Sequence, residues 1–240
     1  MPDQKKIDKI AVQIAKQTDQ LQKEMVRDLL KLSKSKRFKA IDEFILSVQE
    51  LDIPQIVLLK SSNIVSIYRD AHTQILLDSE LFAEITEDTL RALTNFSASS
   101  FADHLGSMGG VMKREIIQGV ITGNTEKGIF QAIQQQAGLS NKQMETLVTT
   151  GLNNYSRSVT KVMMDNAPKN KRYRYVGPID GRTRDLCLQI WGAGEMTQAQ
   201  IVKQFGASVL TEGGGYNCRH DFAPIEQEDK SKDLRTNNAE

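Results

Sequence analysis

Cysteine, proline and tryptophan are scarce in this chain: two, five and one respectively among 240 residues. Two cysteines cannot build a disulfide framework, which fits a reducing cytoplasm. No stretch approaches the ~18–20 apolar residues of a membrane-spanning helix, so no membrane association is expected. Behind the positive charges of Met1–Lys6 there is no apolar run, and a secretory signal is therefore not expected. With 39% hydrophobic and 25% charged residues, a collagen-like or wholly disordered polymer is excluded. The length suits one large domain or two small ones.

The formal net charge of +1 conceals a strong pattern. Residues 1–40 hold 11 Lys/Arg against 5 Asp/Glu, residues 41–106 hold 3 against 11, and residues 155–184 hold 8 against 2. The blocks are thus net +6, −8 and +6. Each block can be a solvated face. The two basic blocks can equally meet a polyanion, with the acidic one turned to a different partner.

The first 165 residues read as helix. Ile7, Ile10, Ile14, Leu21, Met25, Leu29 and Leu32 recur at steps of three, four or seven, which predicts one helix over 3–34. The polar run Lys31–Lys39 predicts a bend before a second helix at about 38–50. Pro54 suits the first turn of a third helix over 53–78, with a break signalled at Ser61-Ser62-Asn63. Thr86 is the expected cap of a fourth helix, which should run to Leu105 and break between Gly106 and Gly110. A helix over 111–122 should follow. Thr125 should then cap a helix over 126–136 that Gly138 ends, and Ser140 with Gln143 a capping box on a helix reaching Met164.

Near Pro168 the pattern changes. Tyr173 and Tyr175 alternate with basic residues, a strand signal. Short helices are expected at 184–191 and 197–205, and a return strand at Phe222–Ile225. After Glu226 the only large aliphatic residue is Leu234, which predicts a flexible acidic tail over 226–240. The expected fold class is mainly α with a small α+β C-terminal module and an elongated helical N-terminal part. The expected divisions are 1–106, 107–165, 166–225 and 226–240.

Chemistry-bearing residues concentrate between Asp180 and His220. Cys187, Cys218 and His220, with Asp180 or Asp185, have the donor types of a zinc site. The C-x-x-C knuckles usual for zinc are missing, however. The reading adopted is no metal and no cofactor, with both thiols as small buried groups tying the ends of the module together. Cys218-Arg219-His220 also suggests a thiol nucleophile beside a base, but no oxyanion arrangement accompanies it, so the chain is not expected to be an enzyme. His72 and His104 lie in helical segments and read as surface or satisfied core residues. Gly213-Gly214-Gly215 lacks the Lys-Ser/Thr of a phosphate loop. Lys169, Lys171, Arg172, Arg174, Arg182 and Arg184, interleaved with Tyr173 and Tyr175, form a candidate DNA-binding patch in which charge binds phosphate and the rings stack on bases. The alternative is a solvated strand whose tyrosines face the core.

Three stretches resemble the Mu F-like phage head morphogenesis, or minor head, proteins. The first is Val111–Gly123 followed by Ile129 and Ile133, similar to that family's helix–glycine–helix hairpin. The second is Leu147–Asn153. The third and most specific is Asp180, Thr183 and Cys187, then Trp191-Gly192, then Asn217-Cys218-Arg219 and Pro224-Ile225. Gly215 stands where many members carry His, and His220 follows the Arg. The resemblance implies a virion component at the portal vertex or capsid interior. Its partners would be the portal protein, the capsid interior or scaffold, and double-stranded DNA bound without sequence preference; it would pass through the host cytoplasm during assembly. A cytoplasmic nucleic-acid-binding or adaptor protein is the runner-up, and a zinc or thiol enzyme built on residues 170–225 a third reading. Within the module, Asp180 and Thr183 are expected to cap the helix carrying Cys187. Cys187 and Trp191, one turn apart, are expected to face the loop bearing Cys218.

Overall fold

Helix α1 (Gln4–Lys34) follows from its apolar spacing. Ile7, Ile10, Ile14, Leu21, Met25 and Leu29 are all buried, forming one stripe on one face. Thr18, in the gap of that stripe, donates its hydroxyl to Ile14 O at 2.9 Å. The computed structural model describes residues 3–34, 41–76, 85–137 and 140–225. The bend expected at 35–40, the stop at Gly138 and the tail after residue 225 lie outside those residues.

The next helices are α2 (Ile41–Glu50), α3 (Ile53–Lys60) and α4 (Ser62–Leu76). Asp52 caps α3 by accepting from Gln55 N, and Pro54 sits in its first turn, where a missing N–H costs nothing. The break at Ser61 falls where the polar triplet put it. Helix α5 (Glu87–Ile121) starts at its Thr86 cap.

The predicted break between Gly106 and Gly110 does not occur: α5 continues through it. Interior glycine costs a helix about 1 kcal/mol relative to alanine, and here close packing requires it. A Cβ on Gly109 would stand 2.6 Å from the Cα and N of Pro54, so the α5 backbone lies directly on the start of α3. Gly119 likewise leaves room for Ile129 of α6 (Glu126–Ala137). The expected boundary at 106/107 therefore lies inside one helix. One hydrophobic core, drawing on Ile7 at one end and Leu152 at the other, spans it.

Helix α6 carries its cap bond from Gly128 N to Thr125 Oγ1 at 3.1 Å. Helix α7 (Asn141–Asn166) has the Ser140–Gln143 capping box. Its first half, with Met144, Val148 and Leu152, belongs to the helical core. Tyr155, Val159 and Met163 form a small cluster with Ile85, and Met164 enters the core of the module beyond. Helix α7 is thus shared by both parts.

The module runs β1 (Arg172–Val176), α8 (Asp185–Gly192), β2 (Glu195–Thr197), α9 (Gln198–Phe205), α10 (Val209–Glu212), β3 (Asp221–Pro224). Its sheet is antiparallel in the order β2–β1–β3, with Tyr173 opposite Met196 and Tyr175 opposite Phe222. Strand β1 buries Tyr173 and Tyr175 and exposes Arg172 and Arg174. The tyrosines are therefore core groups with no ring face for a base: of the two readings the sequence left open, the strand whose tyrosines face the core is the one found. The chain is mainly α with a small α+β C-terminal module. Among the described residues, no helix is long and apolar enough to cross a membrane.

Candidate functional site

The module closes on a buried cluster of two thiols, an imidazole and a phenol. Cys187 sits in the first turn of α8, Tyr175 points in from β1, and Cys218 and His220 come from the segment leading into β3. Cys187 Sγ and Cys218 Sγ are 3.7 Å apart, and Cys218 Sγ is 3.7 Å from His220 Nδ1. The Tyr175 hydroxyl lies 3.3 Å from Cys218 Sγ and 3.9 Å from Cys187 Sγ. Its ring stacks on His220 at 5.2 Å between centroids. Among the described residues His220 Nε2 is buried without a hydrogen-bond partner, an arrangement that costs about 1–3 kcal/mol.

Glycines let the backbone approach this cluster. A Cβ on Gly214 would collide with Cys187 Sγ, and one on Gly177 with the His220 ring. Gly214 N donates to Cys218 Sγ at 3.2 Å. Burial works against a Cys218 thiolate. Hydrogen bonding from His220, the Tyr175 hydroxyl and the N–H groups of His220 and Gly214 outweighs it and holds the thiol well below its ordinary range. Burial pushes Cys187 up, and the neighbouring Cys218 adds to the effect. Burial, reinforced by both sulfurs, also raises Tyr175, which stays a neutral phenol.

A buried arginine of α7 organises the loop that supplies half of the cluster. Arg157 is 1% exposed. Its Nε donates to Thr211 O at 3.0 Å, its Nη1 to Cys218 O at 3.2 Å and His220 O at 2.8 Å, and its Nη2 to Asn154 Oδ1 at 2.6 Å. The planar fork of a guanidinium meets several carbonyls at once, which an ammonium cannot do. Beside it Asp221 is buried and accepts from Ser156 Oγ at 2.9 Å and Phe222 N at 2.7 Å. Desolvation pushes the Asp221 carboxyl up, and the charge of Arg157 with these hydrogen bonds only partly offsets it. Sequence reading missed both residues, because a lone Arg on an amphipathic helix looks like a surface charge. The signal available was its place among buried positions: Tyr155, Ser156, Val159 and Thr160 flank it.

The residues of the specific motif converge on the same loop, in roles that differ from those expected. Asp180 and Thr183 do not cap α8, whose N-cap is Arg184 without a side-chain bond. Asp180 accepts from Arg182 N, and Thr183 Oγ1 accepts from Asp180 N at 2.9 Å and donates to Pro178 O at 3.1 Å. Both side chains hold their own turn, because a short polar side chain satisfies the nearest backbone groups first. Asp180 also takes a two-pronged bond from Arg219, at 2.7 and 2.8 Å. Those guanidinium bonds, with the Arg182 N–H, hold its carboxyl well below the usual carboxylate range. Asn217 has φ 57°, left-handed backbone that Asn tolerates better than most residues. Its N–H donates to Thr150 Oγ1 of α7 at 2.9 Å. Asn217, Cys218 and Arg219 thus supply the turn, the thiol and the clamp.

Trp191 does not join Cys187 at the loop. It is 51% exposed, while Cys187 and Ile190 form the buried side of α8. Asp185 is exposed in the first turn of α8, and the potential metal ligands that gather among the described residues are Cys187, Cys218 and His220.

The six basic residues are not equivalent. Lys169, Arg172 and Arg182 are exposed and Lys171 is half-buried. Arg172 donates to Glu195 O, and Arg174 pairs with Glu195 at 2.8 Å. Arg184 donates to Gly214 O and Tyr216 O, bracing the glycine loop. The charge of Arg174 is offset locally, and Arg184 carries structure.

A second concavity of about 300 Å³ lies among α4, α5 and α7, lined in part by Tyr68, Ser97, Phe101 and Tyr155. Ser97 Oγ approaches His72 Nε2 at 2.9 Å, and His72 Nδ1 meets Tyr68 O at 2.8 Å. The pairing resembles a nucleophile with its base. Its groups lie within α4 and α5, where interior N–H groups are committed to the helices, so among the described residues no oxyanion donors face the serine. Burial lowers His72 to about 4, a poor base at neutral pH. His72 is a satisfied core residue, as the sequence suggested. The chain matches no protein-family model, no curated protein and no solved structure.

Proposed function

We propose that this protein is a minor head protein of the Mu F-like kind, a structural component that attaches to a portal and touches packaged DNA weakly through charge. The observation that carries this reading is the convergence of the motif. Asp180 meets Arg219, and Cys187 meets Cys218, across gaps of 39 and 31 residues. Residues that the resemblance joins only in sequence thus build one loop anchorage, and each has a structural task. The Thr150–Asn217 bond joins the second resembling stretch to the third.

The DNA contact rests on fewer cations than the sequence offered. Among the described residues, Lys169, Lys171 and Arg182 make no side-chain bond within the module's framework; Arg172 adds a partly engaged fourth. Three phosphate contacts on duplex DNA give a log–log salt slope of about −2.7, at −0.9 per contact. Exposed Leu188 and Trp191, three apart on α8, offer an apolar anchor for a protein partner.

The test is a salt titration on two unrelated duplexes, wild type beside a Lys169→Ala, Lys171→Ala, Arg182→Ala variant, with portal co-sedimentation in parallel. The proposal expects equal affinity for both duplexes, a flatter slope in the variant and undiminished portal attachment. Failure of the full chain to co-sediment with its portal protein would overturn the assembly role. Binding that survives high salt or prefers one duplex would overturn the charge-only contact.

A further inference from the structure

We propose that Cys187, Cys218 and His220 bind one zinc ion, with the Tyr175 hydroxyl at the fourth corner, as a structural staple of the C-terminal module. This site is independent of the head-protein reading and stands whether or not that reading holds.

Spacing is the first argument. The three ligand atoms lie within 4.8 Å of one another, with 3.7 Å between the sulfurs and 3.7 Å from Cys218 Sγ to His220 Nδ1. A point equidistant from atoms so separated lies about 2.1–2.4 Å from each, against roughly 2.0–2.3 Å for Zn–N and Zn–S bonds. The edges of a tetrahedron with those bond lengths measure about 3.5–3.8 Å. The Tyr175 hydroxyl lies 3.3 and 3.9 Å from the two sulfurs, distances that bracket that edge length.

Chemistry is the second. Two thiolates and an imidazole form a soft-to-borderline donor set that suits zinc and excludes calcium and magnesium, which need oxygen. Both sulfurs bind as thiolates, with the Cys187 proton released to solvent, and two thiolates with one divalent cation make a neutral unit that can be buried. Among the described residues, Nδ1 of His220, the nitrogen facing the sulfurs, has only a long contact with a thiol. Coordination gives Nδ1 a full bond.

The surroundings are built for such a unit. All three ligands are buried, each at 2% exposure. Gly214 N–H donates to Cys218 Sγ, the backbone-to-sulfur bond that tunes thiolate ligands. Gly177 and Gly214 bring main chain where a Cβ would displace a ligand. Enclosure by backbone and phenol, instead of an open coordination position, marks the site as structural. The sequence offered these donors, but because they come from separate elements without a C-x-x-C knuckle it pointed to no metal.

The test uses the purified, reduced full chain. Metal content and a cobalt(II) titration should show one equivalent bound per chain, with a thiolate-to-cobalt charge-transfer band. Cys187→Ser and Cys218→Ser should each abolish the band. Gly214→Ala, which keeps all three ligand residues but places a Cβ against Cys187 Sγ, should weaken affinity ~10-fold or more. Zinc should also slow alkylation of both thiols in wild type, a readout that needs no variant to fold. A folded, reduced wild type that takes up neither metal at micromolar concentration overturns the proposal. So does a Cys218→Ser variant that binds cobalt as wild type does, or a chain purified with Cys187 and Cys218 oxidised to a disulfide and unable, after reduction, to bind metal.

Discussion

Replacing Arg157 by Met tests whether one buried guanidinium holds the loop of the candidate site to α7. The methionine fills similar apolar volume and removes the fork. Three backbone carbonyls, of Thr211, Cys218 and His220, then lose their donor, as does Asn154 Oδ1. Hydrogen bonds to charged groups contribute about 1.5–3 kcal/mol each. Four of them would sum to more than ~6 kcal/mol, but bonds made by one group do not add. Removing one member of a buried charged network costs about 3–5 kcal/mol, and buried Asp221 loses the favourable charge of Arg157, so that range is the expected loss. At about 2–4 °C per kcal/mol for a chain of this size, Tm should fall by roughly 6–20 °C. The assay is thermal and chemical denaturation, both followed by fluorescence of Trp191, which sits in the module.

Acid supplies the second arm. Asp221 has a folded pKa raised by desolvation, so its contribution is most favourable below the ordinary carboxylate value and is lost as pH rises through the folded value. A protonated Asp221 needs no counter-charge. The deficit of Arg157→Met should therefore shrink on going from pH 7 toward about pH 4. Arg157→Lys, which keeps the charge but cannot fork, should recover part of the loss. A variant within 1 kcal/mol of wild type at pH 7, or a deficit indifferent to pH, would refute the reasoning.

The remaining expectations concern other parts of the chain. His72, brought to about 4 by burial, resists protonation when folded; its stability contribution is complete above the unfolded value of ~6.5 and is lost as pH falls toward 4, about 3 kcal/mol at 1.36 per unit. His72→Gln should flatten the denaturation midpoint across that window, and an unchanged pH slope would assign the acid sensitivity elsewhere. Gly109→Ala should lower stability by about 1–3 kcal/mol through overpacking against Pro54, outweighing the gain in helix propensity; a higher Tm would mean that α3 and α5 separate freely. Asp180→Ala releases Arg219, so amide exchange over residues 215–219 should quicken while the helical core is unaffected; unchanged protection there would show that the clamp is dispensable.

Local patterns foretold local structure. Helix α1, the caps at Thr86, Thr125 and Ser140, the Pro54 start and the Tyr173–Tyr175 strand were all legible, because each depends on neighbours within four residues. Strand β2 was not: three residues carry no periodicity, and its pairing with β1 supplies the reason for its existence. The glycines of α5 misled because sequence reads glycine as freedom, whereas a neighbouring helix at van der Waals distance made it a packing requirement. Motif residues were found but their tasks were not, since Asp180 had two suitors, the α8 amides and Arg219, and only the folded loop chose between them. Arg157 and Asp221 stayed invisible for the same reason in reverse. Charge by itself predicts solvent, and burying both became favourable only once α7, the Thr211–His220 segment and β3 had enclosed one space between them.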